Sequence, residues 1–333
     1  MTELRKRVTA LDVAHAAGVS KTTVSYVLNQ TPNQSIPAET RRRVLDAVRD
    51  LNYTPLSAAR ALRRGHNDTV LLVMPDWPLG RTLALVLDAL AVELESQGLS
   101  LLIRRQHHGQ SLSGMWRELA PAAVIALGEV EESEEEAMLS AGIFAATALL
   151  TSPSSPRTAV VVPQDAIGAL QVRHLAARGH RQLAFAGPGD PRFAAFRNLR
   201  LDGARRACEE LGLPDPEALD VDPSLEGAIA AARHWLERAP RVTAVVAYND
   251  EFAAALVAGL HQLGRSAPGD LAIIGVDNEP LARFISPSLT TVDQNHELVA
   301  AHLAQLVVNG LAGEPAPHPL HSDALTLVVR EST

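Results

Sequence analysis

Residues 8–29, VTALDVAHAAGVSKTTVSYVLN, admit few structures. Leu11, Val13, Ala14 and Ala17 recur at helical spacing, with Asp12 and His15 between them. Gly18 stands where that helix must stop, because a left-handed residue costs glycine little. Val19 is apolar and suits the corner, and Ser20 is placed to cap a second helix from its side-chain oxygen. Val24, Val27 and Leu28 share one face of that helix. Lys21, Thr22, Ser25, Tyr26 and Asn29 share the other, with Thr23 beside them. Helix, glycine turn and a second helix with a short polar face make the helix-turn-helix pattern. A cation, hydroxyls, an amide and a methyl-bearing threonine are the groups that a DNA major groove can pair with. An ordinary surface hairpin has the same spacing, so the weight falls on the residues that follow.

Pro37-Ala38-Glu39-Thr40 opens a third helix, with proline where a missing N–H costs nothing. Val44, Leu45, Val48 and Leu51 are its expected core stripe. Tyr53-Thr54-Pro55 breaks the chain. Residues 57–65, SAARALRRG, are then basic, with helical propensity but little to pack on.

These motifs resemble the lactose-repressor (LacI/GalR) family: L-D-V-A-x-x-A-G-V-S-x-x-T-V-S-x-V-L-N, P-A-E-T-R-x-R-V, L-N-Y-x-P and A-R-x-L, in that order. The resemblance implies a DNA-binding head over residues 1–54 and a hinge helix and linker over 55–67. In such a head Lys21, Thr22 and Tyr26 read bases, while Thr9, Ser25, Asn29 and Thr40 mainly hold phosphates. Leu62 is the one large apolar group of the hinge with no core to enter, and the resemblance makes it a minor-groove wedge. Where the family often has Arg or His, this chain has Tyr26.

Charge supports that division. Residues 1–66 hold eleven Lys/Arg against five Asp/Glu, a balance of +6, whereas the whole chain of 333 residues stands at −8, leaving −14 for the rest. A basic head on an acidic body suits phosphate contact by the head alone. A single cysteine, Cys208, excludes an internal disulfide framework and fits a reducing compartment. The N-terminal residues carry no apolar signal segment, and no apolar run is long enough to span a membrane, so a cytoplasmic location is expected.

From Thr69 onward short Val/Ile/Leu runs alternate with helical patterns. The expected strands are 69–74, 99–103, 122–127, 145–150, 158–162, 182–186, 242–247 and 271–276. Helices are expected over 83–95, 133–140, 166–178, 199–211 and 251–263. This is an α/β body with parallel sheets covered on both faces. His107-His108, His318 and His321 have no carboxylate or cysteine at ligand spacing, so no metal is expected.

The family resemblance resumes here. It rests on L-A-A-R-G-H-R-Q-L-A-F around His180, on Arg200-Leu201-Asp202-Gly203, on P-G-D-L-A-I-I-G-V-D ending at Asp277, and on P-S-L-T-T-V from Pro287. It implies a two-lobed, periplasmic-binding-protein-like effector domain over 68–333, with three crossovers and a ligand cleft between lobes. Lobe one is expected at 68–162 plus 287–317, lobe two at 163–286 plus 318–333. By motif position Asp165, Arg200, Asn249 and Asp277 hold the effector. All lie at or beyond carboxyl ends of strands, where open α/β sheets bind ligands. A polyol needs acceptors, which Asp165 and Asp277 supply, a rigid donor fork, which Arg200 supplies, and a group that does both, Asn249. Asp250 reads instead as an ordinary acid at a helix start. Trp77, in a loop shorter than the family's, is either a stacking surface for a sugar or core packing at a turn.

Other classes are excluded by what is missing. The chain has no G-x-G-x-x-G after a strand, no P-loop, no G-x-S-x-G and no metal-spaced cluster, so neither an enzyme nor a cofactor is expected. An exported solute-binding protein would not carry the head. The expectation is a homodimeric repressor of carbohydrate genes, binding a palindromic operator under control of a small effector, a sugar first and a nucleobase or phosphorylated metabolite second.

Overall fold

The computed structural model describes residues 8–28, 35–53, 67–107, 110–150, 159–237, 241–318, 320 and 324–333. Asn29 and the hinge segment 56–64, with Leu62, lie outside the described residues. The chain divides into two compact units, 1–67 and 68–333.

The first unit holds α1 (Ala10–Ala17), α2 (Lys21–Leu28) and α3 (Ala38–Asp50). Thr9 and Asp12 form a capping box at the start of α1, and Gly18 ends it at φ +64°. Ser20 Oγ accepts from Thr23 N at 3.1 Å and so caps α2. Val13, Ala14, Ala17, Val24, Val27, Val44 and Ala47 form the core of this unit. Each fully buried valine is worth about 1.5–3 kcal/mol, so four of them carry much of so small a core. Two expectations are corrected here. Leu45 is 48% exposed and Ala47 takes its place inside, because the narrow face toward α1 runs through Val44, Ala47 and Val48. Leu11 is likewise exposed.

The second unit begins with β1 (Thr69–Met74), α4 (Arg81–Ser96), β2 (Ser100–Arg105), α5 (Leu112–Leu119), β3 (Ala123–Leu127), α6 (Glu132–Ser140), β4 (Phe144–Leu149) and β5 (Ala159–Val161). These strands form one parallel sheet in the order β2-β1-β3-β4-β5. The chain then crosses into α7 (Gln164–Ala177), β6 (Leu183–Gly187), α8 (Ala194–Glu210), β7 (Glu217–Asp220), α9 (Leu225–Glu237), β8 (Ala244–Ala247), α10 (Asp250–Gln262), β9 (Ala272–Val276), α11 (Leu281–Phe284) and β10 (Thr290–Asp293). It returns to the first lobe with α12 (His296–Ala312) and crosses a third time to β11 (Thr326–Val328). The second sheet runs β11-β10-β9-β8-β6-β7, all parallel except β11.

The point of return differs from the expected lobe boundary. Residues 287–293 were assigned to lobe one, yet β10 pairs with β9 of the second sheet and Leu289 lies in its core. Thr290, Thr291 and Val292 are buried there, and Ser332 Oγ accepts from Thr290 N at 2.9 Å and donates to Ile273 O at 2.6 Å. The chain therefore changes lobe at Gln294, and α12 packs into the core of lobe one on α4 and against β4 and β5.

One packing contact decides where the site stands. An added Cβ on Gly203 of α8 would overlap the carbonyl of Asp165, and one on Gly168 of α7 would overlap the carbonyl of Arg200. Reciprocal glycines thus let α7 and α8 touch through bare backbone, bringing Arg200 against the start of α7. Cys208, on the same helix, is fully buried and its thiol is pushed up to about 11 by that burial, so it packs and does not react.

Candidate functional site

Two surfaces carry chemistry. On the first unit, Lys21 and Thr22 are exposed at the start of α2, while Ser25 and Tyr26 stand half-buried one turn on and Thr40 half-buried in α3. Lys21, Thr22, Ser25 and Tyr26 share the outer side of α2 because Val24 and Val27 take the inner side. Two hydroxyls expected to meet DNA already have partners. Thr9 donates its hydroxyl to Asp12 Oδ2 at 2.7 Å and its backbone N–H to the same oxygen at 2.8 Å. The Thr23 hydroxyl lies 2.9 Å from that of Ser20.

In the second unit a cavity of about 190 Å³ opens between the two sheets. It lies beyond the carboxyl ends of the strands, at the amino ends of α4, α7, α10 and α12. Arg200, Asn249 and Asp277 line it as expected; Asp165 does not. Asp165 turns to α8 and pairs with Arg206. One residue along a helix is a rotation of about 100°, and the residue that faces the cavity is its neighbour Gln164.

Gln164 belongs to a chain of four side chains. Arg200, 4% exposed, donates from Nε to Gln164 Oε1 at 2.9 Å. Gln164 Nε2 donates to Gln294 Oε1 at 3.1 Å, and Gln294 Nε2 to Asp277 Oδ1 at 2.6 Å. The charged ends fix both amide orientations, since the arginine only donates and the carboxylate only accepts. Gln164 and Gln294 sit at two of the three crossovers, one leaving β5 and one leaving β10. Arg200 also donates to the Tyr248 carbonyl and lies 4.6 Å over the Tyr248 ring.

Asp277 and Asn278 adopt φ of +101° and +49°. Such backbone costs a non-glycine residue about 1–3 kcal/mol and persists only when its surroundings hold it. Here Asp277 N donates to Val292 O at 2.8 Å, Asn278 Nδ2 to Asp293 Oδ2 at 2.9 Å, and Glu279 N to Asp250 Oδ2 at 2.8 Å. Asp250 is therefore a buried brace under the loop that carries Asp277. Burial pushes its carboxyl up to about 7, with Asp277 and Glu279 adding to the rise and bonds from Thr291 and Glu279 opposing it. Burial also raises Glu279, which Asp277 reinforces and Arg81 offsets. Asn249 caps α10, its Oδ1 accepting from Phe252 N at 3.1 Å, so toward a ligand it keeps the amide donor.

The apolar wall is what the sequence reading largely missed. Trp77 meets Phe196 edge to face at 4.7 Å, and Phe193 meets Tyr248 at 5.9 Å. All four line the cavity. Phe193 and Phe196 follow a proline-led turn at the start of α8, and only their placement one and two turns before Arg200 could have signalled them.

Residues 9–56 match the family described as bacterial regulatory proteins, lacI family, and residues 172–333 match a periplasmic binding protein-like domain. The chain is 34% identical to the HTH-type transcriptional regulator DegA of Bacillus subtilis over 86% of this chain and 87% of that protein. It is 31% identical to the regulator CelR of Thermobifida fusca over 99% of each. A solved CelR–cellobiose complex superposes with a TM-score of 0.63 at 28% identity, covering 98% of this chain and 100% of that one. A lac repressor dimer bound to operator superposes with a TM-score of 0.82 at 22% identity, covering 98% and 99%, and shows the same fold. A helix-turn-helix head, a two-sheet body with a cleft at its strand ends and relatives that regulate transcription together place this chain in the lacI family, as a DNA-binding transcriptional regulator and not an enzyme.

Proposed function

We propose that the protein is a homodimeric repressor whose operator affinity is set by an uncharged, carbohydrate-like effector held between the two lobes. The hydrogen-bonded chain from Arg200 to Asp277 carries the reading. It offers a fixed donor at one end and a fixed acceptor at the other, the pairing that vicinal hydroxyls require. Trp77 and Phe193 supply an apolar wall for the C–H face of a ring. CelR, whose solved complex contains cellobiose, is the relative that favours a sugar. A phosphorylated effector is less suited, because the carboxylates of Asp277, Glu251 and Glu279 outnumber the guanidinium groups of Arg81 and Arg200 in the cavity lining.

For the DNA, we assign base reading to Lys21, Thr22 and Tyr26, phosphate contact to Thr9, Ser25, Asn29 and Thr40, with Thr23 supporting the reading helix. Leu62 is assigned to a hinge that wedges the minor groove of a palindromic operator. A dimer is supported by apolar groups left on the body: Leu102 and Ile103 on the edge strand β2, Val92 on α4, and Phe284, which is 82% exposed. Action on DNA puts the protein in the cytoplasm, and no helix among the described residues is long and apolar enough to cross a membrane.

Thermal-shift screening of mono- and disaccharides and their phosphates, on wild type and Arg200→Ala, tests the reading. A saccharide should stabilise wild type, shift its operator affinity and do neither to Arg200→Ala. An effector acting on both at the same concentration would remove this cleft from the assignment.

A further inference from the structure

The lobes meet directly at the mouth of the cleft. Trp77 belongs to lobe one and packs on its core; Phe196 belongs to lobe two and packs on the other. Their rings are 4.7 Å apart at 72°, the edge-to-face arrangement that aromatic pairs favour. The loop that presents Trp77 is stiff. Pro75 and Pro78 fix two of its dihedrals, and two tight turns close it, Trp77 N to Pro75 O at 2.7 Å and Gly80 N to Pro78 O at 3.0 Å. The charges beside the rings are paired within each lobe, Asp76 with Arg105 in lobe one and Arg192 with Asp190 in lobe two. The contact that spans the opening is therefore the aromatic one.

We propose that Trp77 and Phe196 form an aromatic gate: the two rings keep the mouth of the cleft shut without a ligand, and the cleft admits or releases a ligand only when they part. The closed form is then a property of the chain, and an effector selects it instead of building it. Trp77 also becomes a determinant of what is admitted. A ligand that separates the rings must offer an apolar face in return, which a pyranose does and a compact anion does not. That consequence rests on the effector reading above, but the gate itself does not, and it is tested with no effector present.

The protein has three tryptophans. Trp116 is 4% exposed and Trp235 fully buried, so acrylamide quenching of the full-length protein reports mainly on Trp77. Phe196→Ala should raise the quenching constant by about twofold or more as the indole opens to solvent. Phe196→Leu keeps an apolar anchor in lobe two and guards against loss of fold; it should raise quenching too. In a cycle of Trp77→Leu, Phe196→Leu and the double variant, the unfolding midpoint should fall less in the double variant than the two single losses together. Unchanged quenching in both Phe196 variants, or strictly additive midpoints, overturns the gate. Operator binding by each variant, read by gel shift, separates that failure from failure of the regulator fold.

Discussion

Gln164 and Gln294 lie 130 positions apart in sequence and 3.1 Å apart in space, joined by one buried amide–amide hydrogen bond. Each stands where the chain passes from one lobe to the other. A ligand that pulls on Arg200 or Asp277 therefore pulls on two of the three passages at once.

That bond should have a measurable energy. Gln164→Leu leaves the Arg200 Nε–H and the Gln294 carbonyl oxygen buried without partners, a loss of about 1–3 kcal/mol. Urea unfolding of the two proteins measures it, and equal midpoints would show that the four side chains do not act as a chain.

Arg200→Ala should keep operator affinity and lose the effector response. The guanidinium is not part of the head, which forms a compact unit of its own. Side-by-side operator titrations, with and without the saccharide found by screening, give the answer. A parallel loss of operator binding would mean that the residue supports the whole fold and not the cleft.

Asp250 gives a pH prediction with a defined sign. Its carboxyl is raised from 3.8 to about 7, so over that window the folded chain keeps a proton that the unfolded chain has released. Stability from this group is complete below the ordinary value and is lost as pH rises through about 7, at most on the order of 1.4 kcal/mol per pH unit. Asp250→Asn should flatten the fall in unfolding free energy between pH 5 and 8. The same slope in variant and wild type would place the pH dependence elsewhere.

On the head, truncating Lys21 or Tyr26 should relax operator preference, whereas Ser25→Ala should weaken all sites alike. Competition between the cognate operator and single-base variants separates the two. Tyr26→Ala with unaltered preference would take Tyr26 off the reading face.

Much of this was legible in sequence, and the misses have physical reasons. The helix stop at Gly18, the cap at Ser20 and the buried runs of β1, β3, β8 and β9 are local signals, and local signals survive reading one residue at a time. Arg200 and Asp277 were found through the family resemblance, which rests on R-L-D-G at Arg200 and on the G-V-D that ends at Asp277. Asp165 was chosen over Gln164 because an acid looks more like a ligand than an amide, and sequence does not show which way the first turn of a helix is rotated. Gln294 was missed because its partner is 130 positions away. Leu45 was placed inside on hydrophobicity, but the face of α3 that turns inward carries Val44 and Ala47 and leaves Leu45 outside. The periodicity reading stopped at Val276, and so omitted β10, α12 and β11, the elements that decide where lobe one resumes.

Gly168 and Gly203 leave no side-chain thickness between α7 and α8. Any larger residue at either position is thus a change of spacing, transmitted to Arg200 and to the crossover it touches. Lesions there should surface in a genetic selection as deafness: a regulator that still finds its operator and no longer hears its effector.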